Sequence, residues 1–131
     1  MLSTKKLIYN ILQCPHVVEQ GTSGNWTWHK WSDGTVEAWY FEYINQTVAF
    51  TTHSGSNYYY TNEDWVSKEI NLPSGIMANA YTAFANIGCN GYITAFVSSR
   101  NATKIAVRAW TPYSASPTIN YLQVYVKGRW K

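Results

Sequence analysis

Trp26-Thr27-Trp28-His29-Lys30-Trp31-Ser32-Asp33-Gly34-Thr35-Val36-Glu37-Ala38-Trp39-Tyr40 is the stretch whose reading decides the fold. Trp26 and Trp28 alternate with Thr27 and His29, and after Ser32-Asp33-Gly34 the positions Val36, Ala38 and Tyr40 share one face. Successive side chains of a strand point to opposite faces, so two period-two runs about a tight turn predict a β-hairpin.

The same pattern continues outward. Runs at Thr47 to Thr52, Val66 to Leu72, Ala80 to Ile87, Gly91 to Ser98 and Thr103 to Thr111 are separated by Gly, Asn, Ser and Pro clusters. In the fifth of these Ile105, Val107 and Ala109 oppose Lys104, Arg108 and Trp110; in the last run Leu122, Val124 and Val126 oppose Tyr121, Gln123 and Tyr125. About eight short strands without an internal repeat predict an all-β domain, an antiparallel β-sandwich or jelly-roll-like fold. Upstream, Leu7, Ile8, Ile11 and Leu12 fall at helical spacing behind a Ser3/Thr4 cap and stop at Pro15. The organisation read is a short helical lead-in or neck over 1–15 and a single head domain over 16–131.

A chain of 131 residues suits one core. Aromatics are 17% of residues against 13% charged, a bias toward strands. Seven Trp exceed what one small core needs, so some are expected at a ligand surface or between subunits. The short apolar stripe of the lead-in, marginal alone, also calls for a partner. Of the net charge of +3, Lys5 and Lys6 supply two at the N-terminus, while Lys30, Lys68, Lys104, Arg108 and Lys127 are dispersed among acids. That distribution argues against nucleic acid. No apolar run reaches membrane-spanning length, and two distant cysteines, Cys14 and Cys89, are expected as free thiols.

The pattern E-x-G-x-x-G-x-W-x-[YW]-x-K-W-x-x-G-x-x-E-x-W, carried here from Glu19 to Trp39, resembles a stretch of tail and fibre proteins of phages and prophages of Gram-positive bacteria. The closing Gly128-Arg129-Trp130-Lys131 is similar to the terminus of such proteins. The resemblance covers the first third of the β domain and its last strand, and it implies a virion protein of the tail tip or fibre, assembled in the bacterial cytoplasm. It also implies a homotrimeric head that contacts other tail proteins and recognises a cell-surface polymer, a saccharide by expectation. A chain ending in Lys131 suits a tip domain; one starting at Met1 is either a piece of a longer fibre or a small separate head.

Candidate chemistry is thin. His16, His29 and His53 are scattered and form no metal-binding spacing, so neither a metal nor a cofactor is expected. Asp33, Glu37, Glu42, Asp64 and Glu69 are the acids to weigh for glycan hydrolysis. Asp33 suits its turn, Glu37 suits a pair with Lys30 across the hairpin, and catalysis is not expected. Trp26, Trp28, Trp31 and Trp39 read as core or interface. The ligand site is placed on the rim formed by His53, Asn57, Tyr58, Tyr59, Tyr60 and Trp65, where rings for stacking stand beside hydrogen-bonding groups. A purely architectural tail or baseplate component, or less readily a carbohydrate-active enzyme or its binding module, is the alternative.

Overall fold

The computed structural model describes residues 3–54, 58–60 and 68–131. Helix α1 spans Thr4–Gln13. Ser3 caps it, its Oγ accepting from the Lys6 amide at 3.3 Å, and Pro15 prevents its continuation. The chain leaves the helix through His16, which exchanges hydrogen bonds with Ser32 in the turn of the following hairpin (amide to Ser32 Oγ 3.2 Å, Ser32 amide to His16 carbonyl 2.8 Å).

Ten strands follow among the described residues, β1 Val17–Ser23, β2 Trp26–Trp31, β3 Thr35–Thr47, β4 Thr52–Ser54, β5 Tyr58–Tyr60, β6 Lys68–Asn71, β7 Asn79–Cys89, β8 Thr94–Arg100, β9 Lys104–Trp110 and β10 Thr118–Arg129. They form a five-stranded sheet β1-β2-β3-β10-β7 and a three-stranded sheet β6-β9-β8, with β4 and β5 paired beside them. Every pairing is antiparallel. The expected hairpin is β2-β3: Asp33 Oδ1 accepts from the Thr35 amide at 2.8 Å, and Gly34 holds φ 91°, a conformation that a Cβ disfavours.

β10 is the spine. Leu122, Val124 and Val126 point into the core together with Val36 and Ala38 of β3. Ile105, Val107 and Ala109 meet them from β9, and Trp26, Val48, Phe50, Ile70, Leu72 and Ile76 close the edges. Each fully buried aliphatic side chain contributes about 1.5–3 kcal/mol by leaving water. The inward and outward sets expected for β3, β9 and β10 are those observed, with Ala106 buried as well.

The two segments that carry the tail-protein pattern, far apart in sequence, are one body in space. β10 pairs with β3 from Thr118↔Thr47 to Arg129↔Thr35. The Trp130 amide then donates to the Gly34 carbonyl at 3.0 Å and its indole to the Trp31 carbonyl at 3.0 Å, while Arg129 Nη2 donates to the Asp33 carbonyl at 3.2 Å. The chain end thus ties down the hairpin turn.

The structure departs from the sequence reading at three places. Thr47 to Thr52 is not a strand: β3 runs on to Thr47, and Phe50 makes an isolated bridge with Ala115. Val17–Ser23, for which no strand was read, is a strand with no buried residue, so its edge position left no alternation to read. Lys30 does not pair with Glu37. It stands opposite Glu19 and Val36 and bonds Glu19 at 3.1 Å, since one residue of register turns it away from Glu37.

Candidate functional site

The expected rim is built on the β4-β5 pair, in which His53 stands opposite Tyr59. Their rings meet edge to face at 5.1 Å. Tyr59 exchanges backbone hydrogen bonds with Thr111 at 2.8 and 3.1 Å, which attaches β5 to the segment leaving β9. That attachment leaves Tyr59 half-buried against the core, so its ring offers part of its surface, whereas His53 is exposed. Asn57, Trp65 and the side chains of Tyr58 and Tyr60 lie outside the described residues.

The fold brings further aromatics to this end that sequence reasoning missed. The Thr111 hydroxyl donates to the Tyr113 carbonyl, and Tyr113 is exposed, its ring 6.4 Å from that of the exposed Tyr92 in the β7-β8 connection. Below them the chain is tied in layers: the Val48 amide donates to Pro117 at 3.0 Å, Phe50 and Ala115 exchange bonds at 2.8 and 3.2 Å, and the Thr118 amide donates to Asn90 Oδ1 at 2.8 Å. Rings on firmly held loops can stack on the apolar face of a sugar with little loss of entropy. A pattern-based reading had no signal for this pair, because Tyr92 fell within the run Gly91 to Ser98, read as a strand, and Tyr113 lies in no periodic run.

Elsewhere the carboxylates hold structure. Asp33 caps its turn, and the bond from Thr35 keeps its carboxyl below the usual range. Both oxygens of Glu37 are taken, by Trp31 Nε1 at 2.9 Å and the Tyr125 hydroxyl at 2.7 Å. Glu69 bonds Lys104 at 3.1 Å. Glu42 accepts from the Tyr40 hydroxyl at 2.6 Å and pairs with Lys68 at 2.8 Å. Burial pushes the Glu42 carboxyl up, but its hydrogen bonds with Lys68 and Tyr40 and the Lys68 charge outweigh this and hold it below its ordinary value. Tyr40 is pushed up to about 12, first by burial and then by Glu42.

A carboxyl held low by folding stabilises the fold above its unfolded value, and the contribution is lost as pH falls through the folded one. A phenol held high stabilises below its ordinary 10.0 and loses that contribution as pH rises through about 12. Thermal unfolding across pH should therefore show a decline on both sides. Glu42→Gln should cost about 1 kcal/mol or less at neutral pH and flatten the acid limb; an unchanged acid limb would contradict this assignment.

A cleft of about 470 Å³ opens between the β1-β2 turn and the Glu69 to Ser74 segment, with Trp26 and Tyr40 on its wall. The Trp26 indole is spent on the Asn71 carbonyl at 2.8 Å. Glu69, the acid on its wall, is bonded to Lys104, so no pair of unengaged carboxylates lines it among the described residues. Also among these residues, no cluster of three His, Cys, Asp or Glu could hold a metal, no helix is long and apolar enough to cross a membrane, and Cys14 and Cys89 are free thiols.

No protein-family profile and no curated protein matches the sequence. Solved structures do match in fold. An N-truncated R1-type pyocin tail fiber superposes with a TM-score of 0.56 at 12% identity, covering 98% of both chains. A C-terminal portion of a P. aeruginosa R1 pyocin fiber gives 0.57 at 12% identity, over 98% of this chain and 32% of that one. An N-truncated R2-type pyocin tail fiber gives 0.54 at 13% identity, over 98% and 44%. The chain thus shares, over nearly its whole length, the fold of pyocin tail fibers.

Proposed function

We propose that this chain is a virion structural protein of a tail fibre or tail tip, in which residues 1–15 form a neck and 16–131 a homotrimeric head that recognises a bacterial cell-surface saccharide without altering it. The observation that carries the proposal is the coincidence of two independent likenesses. The fold is that of pyocin tail fibers over 98% of the chain, and the two segments that resemble tail proteins form one joined scaffold of β2, β3 and β10. Since one of the similar fibers comes from P. aeruginosa, the fold supports no restriction to Gram-positive hosts. The rim of His53, Tyr58, Tyr59, Tyr60, Asn57 and Trp65, extended by Tyr92 and Tyr113, is the proposed ligand site. Several weak sites linked in one particle raise apparent affinity by about a hundredfold or more.

Binding of the purified chain to bacterial cells and to extracted wall or envelope polysaccharides tests this. Binding is expected to fall about five- to thirtyfold in a Tyr59→Ala/Trp65→Ala variant, the loss of one or two stacking contacts worth around 1 kcal/mol each. Absence of binding to any polysaccharide would instead favour the architectural reading. Reducing sugar released by the wild type and abolished by Asp64→Asn or Glu42→Gln would establish an enzyme, and none is expected.

A further inference from the structure

The outer face of the five-stranded sheet, turned away from the core, is paved with aromatic rings that no element among the described residues covers. Register sets them in rows across β3, β10 and β7: Tyr43, Tyr121 and Gly88; Phe41, Gln123 and Asn86; Trp39, Tyr125 and Phe84. Tyr121 lies flat on Gly88, where a Cβ would sit 2.1 Å from its ring, and Phe41 stacks on Tyr121 at 5.6 Å and meets Tyr43 at 4.8 Å. Trp39 touches His29 at 5.1 Å and Tyr125 at 6.0 Å. The surface is therefore a rigid, preordered plate.

We infer that this plate is the surface through which copies of the chain associate. Its size is the first argument. Tyr43 is 75% exposed, Phe84 66%, Trp39 38% and Phe41 36%, which at about 150–250 Å² per aromatic side chain leaves on the order of 400 Å² of ring surface in water. A monomer rarely exposes more than a few hundred Å² of contiguous apolar surface, and a standard interface takes about 800 Å² from each partner. The rings alone supply half of that.

Charge is the second argument. Between the rows there is no ionised group, and at one end Glu37 stands opposite Lys127, so three copies of the plate turned toward a common axis bring no unbalanced charge together. The polar groups are also turned on one another: Glu37 is engaged by Trp31 and Tyr125, and Asn86 Nδ2 donates to Gln123 Oε1 at 3.4 Å. A flat surface whose polar groups are so engaged suits rings of a second copy better than the hydroxyls of a sugar, which must be hydrogen-bonded to be desolvated. The third argument is continuity. Helix α1 exposes Leu7 and Ile8 and enters the fold at β1, the edge of this same sheet, and a ten-residue helix needs partner surface to persist.

The inference deepens the proposed homotrimer and rests on that reading, assigning its contact to one face and leaving the rim outward. Sedimentation equilibrium of the whole chain at micromolar concentration is expected to give three times 15.0 kDa. A Tyr43→Asp/Phe84→Asp variant should sediment at 15.0 kDa with an unchanged far-ultraviolet circular dichroism spectrum, whereas Tyr92→Asp should keep the wild-type mass. The monomeric variant should bind cells about a hundredfold more weakly through lost avidity. A monomeric wild type, a double variant of wild-type mass, or equal dissociation by Tyr92→Asp overturns the inference; so does quenching of the plate's fluorescence by polysaccharide. If the masses behave as expected and no cell is bound, the interface stands and receptor recognition falls.

Discussion

Phe50→Ala should lower the unfolding free energy by about 3–5 kcal/mol, the cost of removing a buried phenyl ring and leaving its cavity. Phe50 is the largest fully buried side chain among the described residues, with no exposure. It lies in no regular strand and is held by its two bonds to Ala115, so the surrounding chain has little regular structure with which to close the hole. The same segment leads directly into β4 and the rim, which should loosen with it. Against a total of about 5–15 kcal/mol for a domain, the loss would consume a large part of the stability. Urea unfolding followed by tryptophan fluorescence measures it: the midpoint should fall with the slope unchanged. A loss below about 1 kcal/mol would mean that the ring does not plug the sandwich.

Gly128→Ala should be of similar severity, about 3 kcal/mol or more, the upper part of the range for overpacking. Gly128 sits in β10, an interior strand, between Val36 of β3 and Ala80 of β7. A Cβ there would lie 2.0 Å from the Asn79 carbonyl oxygen and 2.7 Å from the Met77 sulfur. Methionine can move, but a backbone carbonyl in the paired strand yields only if β10 and β7 separate. Gly24→Ala is the control. A Cβ at Gly24 meets nothing within 4 Å, and its φ of 57° costs a non-glycine residue only about 1–2 kcal/mol. Thermal unfolding should rank Gly128→Ala well below Gly24→Ala; the reverse order would show that conformation, not space, governs both glycines.

The candidate site was legible only in part. The cluster of tyrosines marked the rim, but their degree of exposure depends on the bridge between Tyr59 and Thr111, which a local pattern does not encode. Tyr92 and Tyr113 reach each other through folding of two connections. The outward ring of Trp39 was expected at a core or interface, and its exposure beside Tyr125 and Phe84 follows from the strand order β3-β10-β7.

What the sequence by itself determined was the all-β class, the β2-β3 hairpin, the capped helix and the division of β3, β9 and β10 into inner and outer faces. These follow from steric and solvation rules that act between near neighbours: a period of two, a turn glycine, a serine cap. Only the tertiary structure decided which strands adjoin, that the chain end locks the hairpin turn, that Lys30 serves Glu19 and not Glu37, and which aromatics share the uncovered plate. Each of these is a long-range contact whose partner is set by sheet order and register, and a change of one residue in register exchanges every inward side chain for an outward one.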